Sequence, residues 1–128
     1  MMLRLSVLLV CLLAAVPVFA QGQVLRNDGL QVTLHSQVQP VPLNLMHSWV
    51  ITLHSAEGRA LESAIIQVDG GMPAHDHGLA TRPQVTTALG DGRYLLEGVR
   101  FHMAGEWLLH LQVEHQGRHY QIDVALHL

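Results

Sequence analysis

Cysteine is almost missing from this sequence, and its one copy, Cys11, lies in the apolar leader. Beyond the leader there is no sulfur nucleophile, no disulfide, no thiolate zinc site, no iron–sulfur cluster and no blue-copper centre, because each needs a cysteine thiolate. Lysine is absent altogether. After residue 20 six arginines face ten carboxylates, an excess of four negative charges, which argues against a nucleic-acid binder or a polybasic membrane adhesin. Helical periodicity is missing too: no stretch after residue 20 repeats its apolar residues every 3.6 positions over a helix's length. The enzyme signatures Gly-x-Ser-x-Gly, His-Glu-x-x-His, the phosphate loop and the dinucleotide fingerprint do not occur, so a catalytic role is not expected.

Long apolar runs occur only at the start. Met1 to Arg4 are followed by an apolar stretch from Leu5 to Val16, a breaker at Pro17, and small residues Val18 and Ala20 around Phe19. This is the pattern of a secretory signal peptide over 1–20, cleaved after Ala20, and it is shorter than the ~20 apolar residues of a membrane span. Valine precedes Cys11 and apolar residues continue past it, which argues against a lipidated N-terminus. Export to the periplasm or outside the cell is therefore expected. The 108 residues of 21–128 suit one domain with no further membrane span.

What the chain has in quantity is two-residue alternation. Leu30, Val32 and Leu34 form one set, and Leu43, Leu45, His47, Trp49, Ile51 and Leu53 a second. Ala64, Ile66 and Val68, then Tyr94 and Leu96, then Val99, Phe101 and Met103 continue the pattern. A tight turn at Gln116–Gly117 places Val113 opposite Tyr120, Leu111 opposite Ile122, Leu109 opposite Val124 and Trp107 opposite Leu126. Each of these inward pairs is apolar, while the other face pairs Gln112 with Gln121, His110 with Asp123 and Glu106 with His127, a separation that a one-residue slip would destroy. A second hairpin turns at Asp91–Gly92, with Leu89 expected opposite Tyr94, and Glu57–Gly58 marks a third turn. The expected fold is all-β, an immunoglobulin-like antiparallel β-sandwich of about seven strands. Pro40 and Pro42 belong to a connection rather than a central strand.

Histidine is the other surplus: all ten lie after residue 20. Most have an ordinary place. His47 shares the Trp49 face and is expected to be a hydrogen-bonded interior residue, whereas His110, His115, His119 and His127 fall on the outer face or beside the last turn. The segment 70–84 differs, with three glycines and two prolines and no strand pattern longer than a few residues. Within it runs Met72-Pro73-Ala74-His75-Asp76-His77-Gly78. In an extended backbone His75 and His77 point to one side and can share a metal ion, with Met72 as a third ligand and Asp76 turned away. Met103 and His102 are candidate additions if their turn lies at the same end of the sandwich. By strand parity Met103 faces the core, while His102 lies on the other face with Arg100, where a solvated position competes with ligation. Imidazole with thioether favours copper, Cu(I) or Cu(II), since zinc usually takes Cys, His or carboxylate.

At these residues the chain resembles the YtkA-like domain family, small exported domains related to the FixH group. The resemblance rests on Ala64-x-Ile66-x-Val68, Met72-Pro73-x-His75-x-His77-Gly78, Pro83-x-Val85, Gly92-Arg93-Tyr94, Phe101-x-Met103-x-Gly105-x-Trp107 and Leu109-x-Leu111-x-Val113. It implies an immunoglobulin-like fold outside the cytoplasm and an association with copper handling or respiratory-oxidase maturation. FixH-like proteins keep a membrane anchor, which the cleavable leader expected here would not provide. The combined expectation is an exported copper-binding protein that delivers, buffers or senses the ion. Its partner would be a copper-receiving or respiratory assembly protein. Two rivals stand beside it: a metal-free assembly module that docks proteins through the 70–84 loop, and a small-ligand binder using the sandwich mouth.

Overall fold

The structure is a computed structural model that describes residues 23–27 and 29–128, so the signal reading of 1–20 lies outside the described residues. Among the described residues nine strands form two antiparallel sheets: β1 (Gln23–Asn27), β2 (Leu30–Ser36), β3 (His47–Ser55), β4 (Ile65–Met72), β5 (His77–Gly78), β6 (Gln84–Gly90), β7 (Arg93–Val99), β8 (Glu106–His115) and β9 (Arg118–His127). One sheet runs β1-β2-β3-β7-β6 and the other β5-β4-β8-β9. The chain crosses between the sheets after β3, after β5 and after β7, which gives the immunoglobulin-like sandwich expected from the alternation. Among the described residues no helix is long and apolar enough to cross a membrane.

The inward alternate positions make the core. Val32, Ile51, Leu53, Leu96, Leu111, Val113 and Val124 are all buried. The last hairpin has the register deduced from its turn, with Val113 opposite Tyr120, Leu111 opposite Ile122, Leu109 opposite Val124 and Trp107 opposite Leu126. Gln116 and Gly117 both take positive φ there, as a two-residue hairpin turn requires. The β6–β7 hairpin corrects the expectation by one residue. A bulge between Ala88 and Gly90 sets Ala88, not Leu89, opposite Tyr94, and leaves Leu89 exposed. The second alternating set is also shorter than expected. Leu43 and Leu45 stand exposed in the 37–46 connection, and β3 begins only at His47.

Tyr94 ties one crossing to the sheet. Its hydroxyl donates to the Leu61 carbonyl at 2.6 Å and accepts from the Ala64 N–H at 2.9 Å. With Tyr94 buried, Tyr94→Phe strands the Leu61 carbonyl and the Ala64 amide. It is expected to lower stability by about 1–3 kcal/mol, read as a shift of the urea midpoint with an unchanged slope. A change below a few tenths would mean that water replaces both bonds.

Candidate metal centre

The segment that lacked a strand pattern is a hairpin. β4 runs on through Met72, four residues turn, and β5 returns with Met72 opposite His77 and Gly71 opposite Gly78. Pro73 follows Met72 in a turn closed by the His75 N–H donating to the Met72 carbonyl at 3.1 Å. Proline suits the second position of such a turn because its φ is already set, and Asp76 then takes φ 52°, a conformation that aspartate tolerates. Gly71 is required by close approach, since a Cβ there would lie 2.3 Å from the His77 carbonyl oxygen. The extended geometry expected for His75 to His77 is thus replaced by a turn followed by a strand. The two rings nevertheless meet, stacked at 6.1 Å between centroids with 26° between planes.

Cross-strand partners share a face, so His77 projects on the same side as Met72, toward the space between the sheets. Met72 is 2 % exposed there, and its thioether belongs to the core's edge rather than to a solvent loop. Its terminal methyl occupies the space above Gly105: a Cβ on Gly105 would stand 2.8 Å from Met72 Cε. Gly105 also has φ 131° and exchanges two backbone hydrogen bonds with Leu128, at 2.8 and 3.0 Å, which pins the 100–105 turn to the end of β9. A glycine is needed at this position both for its backbone and for the room it leaves.

His102 reaches the same place from that turn. Strand parity predicted an outer-face position beside Arg100, but regular pairing ends at Val99 and the chain leaves the strand. The ring of His102 is instead half-buried. It packs edge-to-face on inward-facing Trp107 at 5.3 Å and on His77 at 5.5 Å. Its Nδ1 is buried without a hydrogen-bond partner, which is costly for a polar atom. Met103 is half-buried against the core, as its parity suggested, and its carbonyl accepts the Trp107 Nε1–H at 3.0 Å. The expected ligands therefore gather at one end of the sandwich: His75, His77 and His102 in a run of rings, and Met72 opposite His77.

Among the described residues no group of three or more His, Cys, Asp or Glu side chains is arranged to hold a metal ion as it stands. The donor types nonetheless fit a soft ion: the imidazoles neighbour one another, a thioether lies on the facing position, and one imidazole nitrogen lacks a partner. Enclosing an ion requires rotation of the His75 and His77 side chains, both of which are exposed.

The other histidines take separate places. His47 is interior as expected, its Nδ1 hydrogen-bonded to the Leu45 carbonyl at 2.9 Å and its ring 5.8 Å from Phe101. His110 and His127 lie on the outer face, each bonded across the β8–β9 ladder to a carboxylate: Asp123 at 2.7 Å and Glu106 at 2.9 Å. His119 is exposed, but His115 is half-buried and not simply solvated. Strand parity placed His102 on the other face, and Trp107 and Gly105 entered only as an inward residue and a motif, not as neighbours of His102 and Met72. The spacing Met103-x-Gly105-x-Trp107 carried the usable signal, a glycine two residues before a large aromatic.

No curated protein and no solved structure matches the chain. The family model described as YtkA-like matches residues 26–112, from β1 into β8 and across every residue of the histidine–methionine end, and the chain belongs to the YtkA-like family.

Proposed function

We propose that this is an exported copper-binding protein that holds one copper ion at the His75–His77 hairpin. His75 and His77 supply imidazole nitrogen and Met72 supplies thioether sulfur, with His102 as the additional nitrogen nearest to His77. Met103 contributes its carbonyl to Trp107 and is a less direct candidate. One observation carries the reading. Two loops about 25 residues apart in sequence bring three imidazoles into successive contact, at 6.1 and 5.5 Å, above a buried methionine facing the middle ring. Mixed imidazole and thioether donors favour copper, Cu(I) above all, over zinc. The ion is cargo: the role is delivery, buffering or sensing, without chemistry on a substrate, and the receiving partner is a copper-accepting or respiratory assembly protein. Export rests on the leader pattern of residues 1–20.

The test is a titration of residues 21–128 with Cu(I) against a competing chelator. One equivalent is expected to be taken up, and uptake is expected to vanish in the His75→Ala/His77→Ala double variant. Absence of stoichiometric uptake, or uptake unchanged by the double substitution, rejects the reading. Leu43, Leu45 and Met46 are exposed in the 37–46 connection, which runs beside Phe101 at this same end, and they favour a second reading. In it the end is a metal-free protein-binding surface, and the double variant captures the same periplasmic partner as the unaltered protein.

A further inference from the structure

The opposite end of the sandwich holds a cleft that the histidine–methionine chemistry does not use. Its volume is about 610 Å³, within the ~300–1,000 Å³ of small-molecule sites. One sheet supplies the turn after β3, the other the β8–β9 turn, and buried Leu30 and Leu61 line the cleft between them. His115 and Arg118 are cross-strand partners one inward rung beyond the core pair Val113 and Tyr120, so both side chains overhang the cleft from the inner face.

The charges around it are unequally matched. Glu57 is engaged by a hydrogen bond with Ser55, by its own backbone and by the nearby Arg59, which together hold its carboxyl below the usual range. Glu62 accepts the Gly92 N–H at 3.0 Å. Arg118 lies over the Tyr120 ring, 5.7 Å from its centroid, and makes no ion pair with a carboxylate among the described residues. A guanidinium positioned over an aromatic face, with no carboxylate partner, can turn its N–H edges to a planar anion.

We infer that this cleft binds a small aliphatic carboxylate, its head paired with Arg118 and its chain laid along Leu30, Leu61 and Tyr120. The planar fork matches a carboxylate in bidentate geometry. Leu30 and Leu61 lie buried beneath a largely polar rim, so the apolar strip they offer is narrow and fits only a short hydrocarbon body. Glu57 and Glu62 on the same rim disfavour a multiply charged phosphate. The site is independent of the copper reading, and either can fail alone.

Hexanoate is the probe, followed by NMR of residues 21–128, with hexanol as its uncharged counterpart. Saturable hexanoate shifts are expected at the Arg118 side chain and the Leu30 and Leu61 methyls, with none from hexanol. Arg118→Gln is expected to weaken hexanoate roughly tenfold or more, Arg118→Lys less, with Cu(I) uptake unchanged in both. The proposal fails if hexanoate does not saturate, if hexanol binds equally well, or if Arg118→Gln has no effect. Displacement of hexanoate by equimolar inorganic phosphate would also overturn it, since that would make the site one for any anion.

Discussion

His77→Ala is expected to weaken Cu(I) binding by about 100-fold, more than His75→Ala or His102→Ala alone. The order follows from position. His77 is the middle ring, 6.1 Å from His75 and 5.5 Å from His102, and the only one of the three placed opposite Met72 on the paired strand. Removing an outer ring leaves an imidazole and the thioether next to each other, whereas removing the middle one separates the remaining nitrogens from each other and from sulfur. Competition titration of the three single variants measures the order directly. His110→Ala and His127→Ala serve as internal controls, because their rings are engaged with Asp123 and Glu106 on the outer face. Equal losses for all five would mean that the ion binds diffusely over a histidine-rich surface, and the hairpin site would be withdrawn.

Trp107→Ala is expected to cost about 3–5 kcal/mol, a large part of the ~5–15 kcal/mol that holds a domain of this size together. Trp107 is 1 % exposed and packs against Phe101 at 5.1 Å with 62° between planes, itself in contact with Trp49 at 6.4 Å. Deleting the indole opens a cavity where the two sheets meet. It also removes the Nε1 donor from the Met103 carbonyl and the wall on which His102 rests. Trp107→Phe keeps most of the apolar surface and loses the hydrogen bond, so a loss nearer 1 kcal/mol is expected. Urea unfolding followed by far-ultraviolet circular dichroism reads both. If the alanine variant lost less than 1 kcal/mol, the aromatic cluster would not be the anchor of this end. Because His102 is seated on Trp107, Trp107→Ala is also expected to weaken Cu(I) binding while the protein is still folded.

The contrast between the last hairpin and the histidine hairpin shows what each level of description can reach. In β8–β9 four alternate pairs, from Trp107–Leu126 to Val113–Tyr120, put apolar residues on one face beside one short turn, so only one register buries the apolar set. The 70–84 segment has no such separation. Its hairpin is closed by a turn hydrogen bond at Met72–His75 and by backbone approach at Gly71, and glycine and proline mark a turn without dictating which residues pair. The bulge that moved Leu89 away from Tyr94 is of the same kind, because β6 is exposed along most of its length and has no buried alternation in which an extra residue would show.

By itself the sequence determined a cysteine-free, all-β domain with most inward residues and one hairpin register, because burying one face of a strand requires a period of two. It also singled out Met72, His75 and His77 as the group worth testing. Only the tertiary structure decided that His102 joins them, that Met72 is a buried partner of His77, and that Gly105 leaves the room for its methyl. It alone brought Arg118 over a cleft at the far end. Those arrangements depend on how three crossings stack one sheet on the other, and contacts between residues dozens of positions apart are set by that stacking, not by any local spacing.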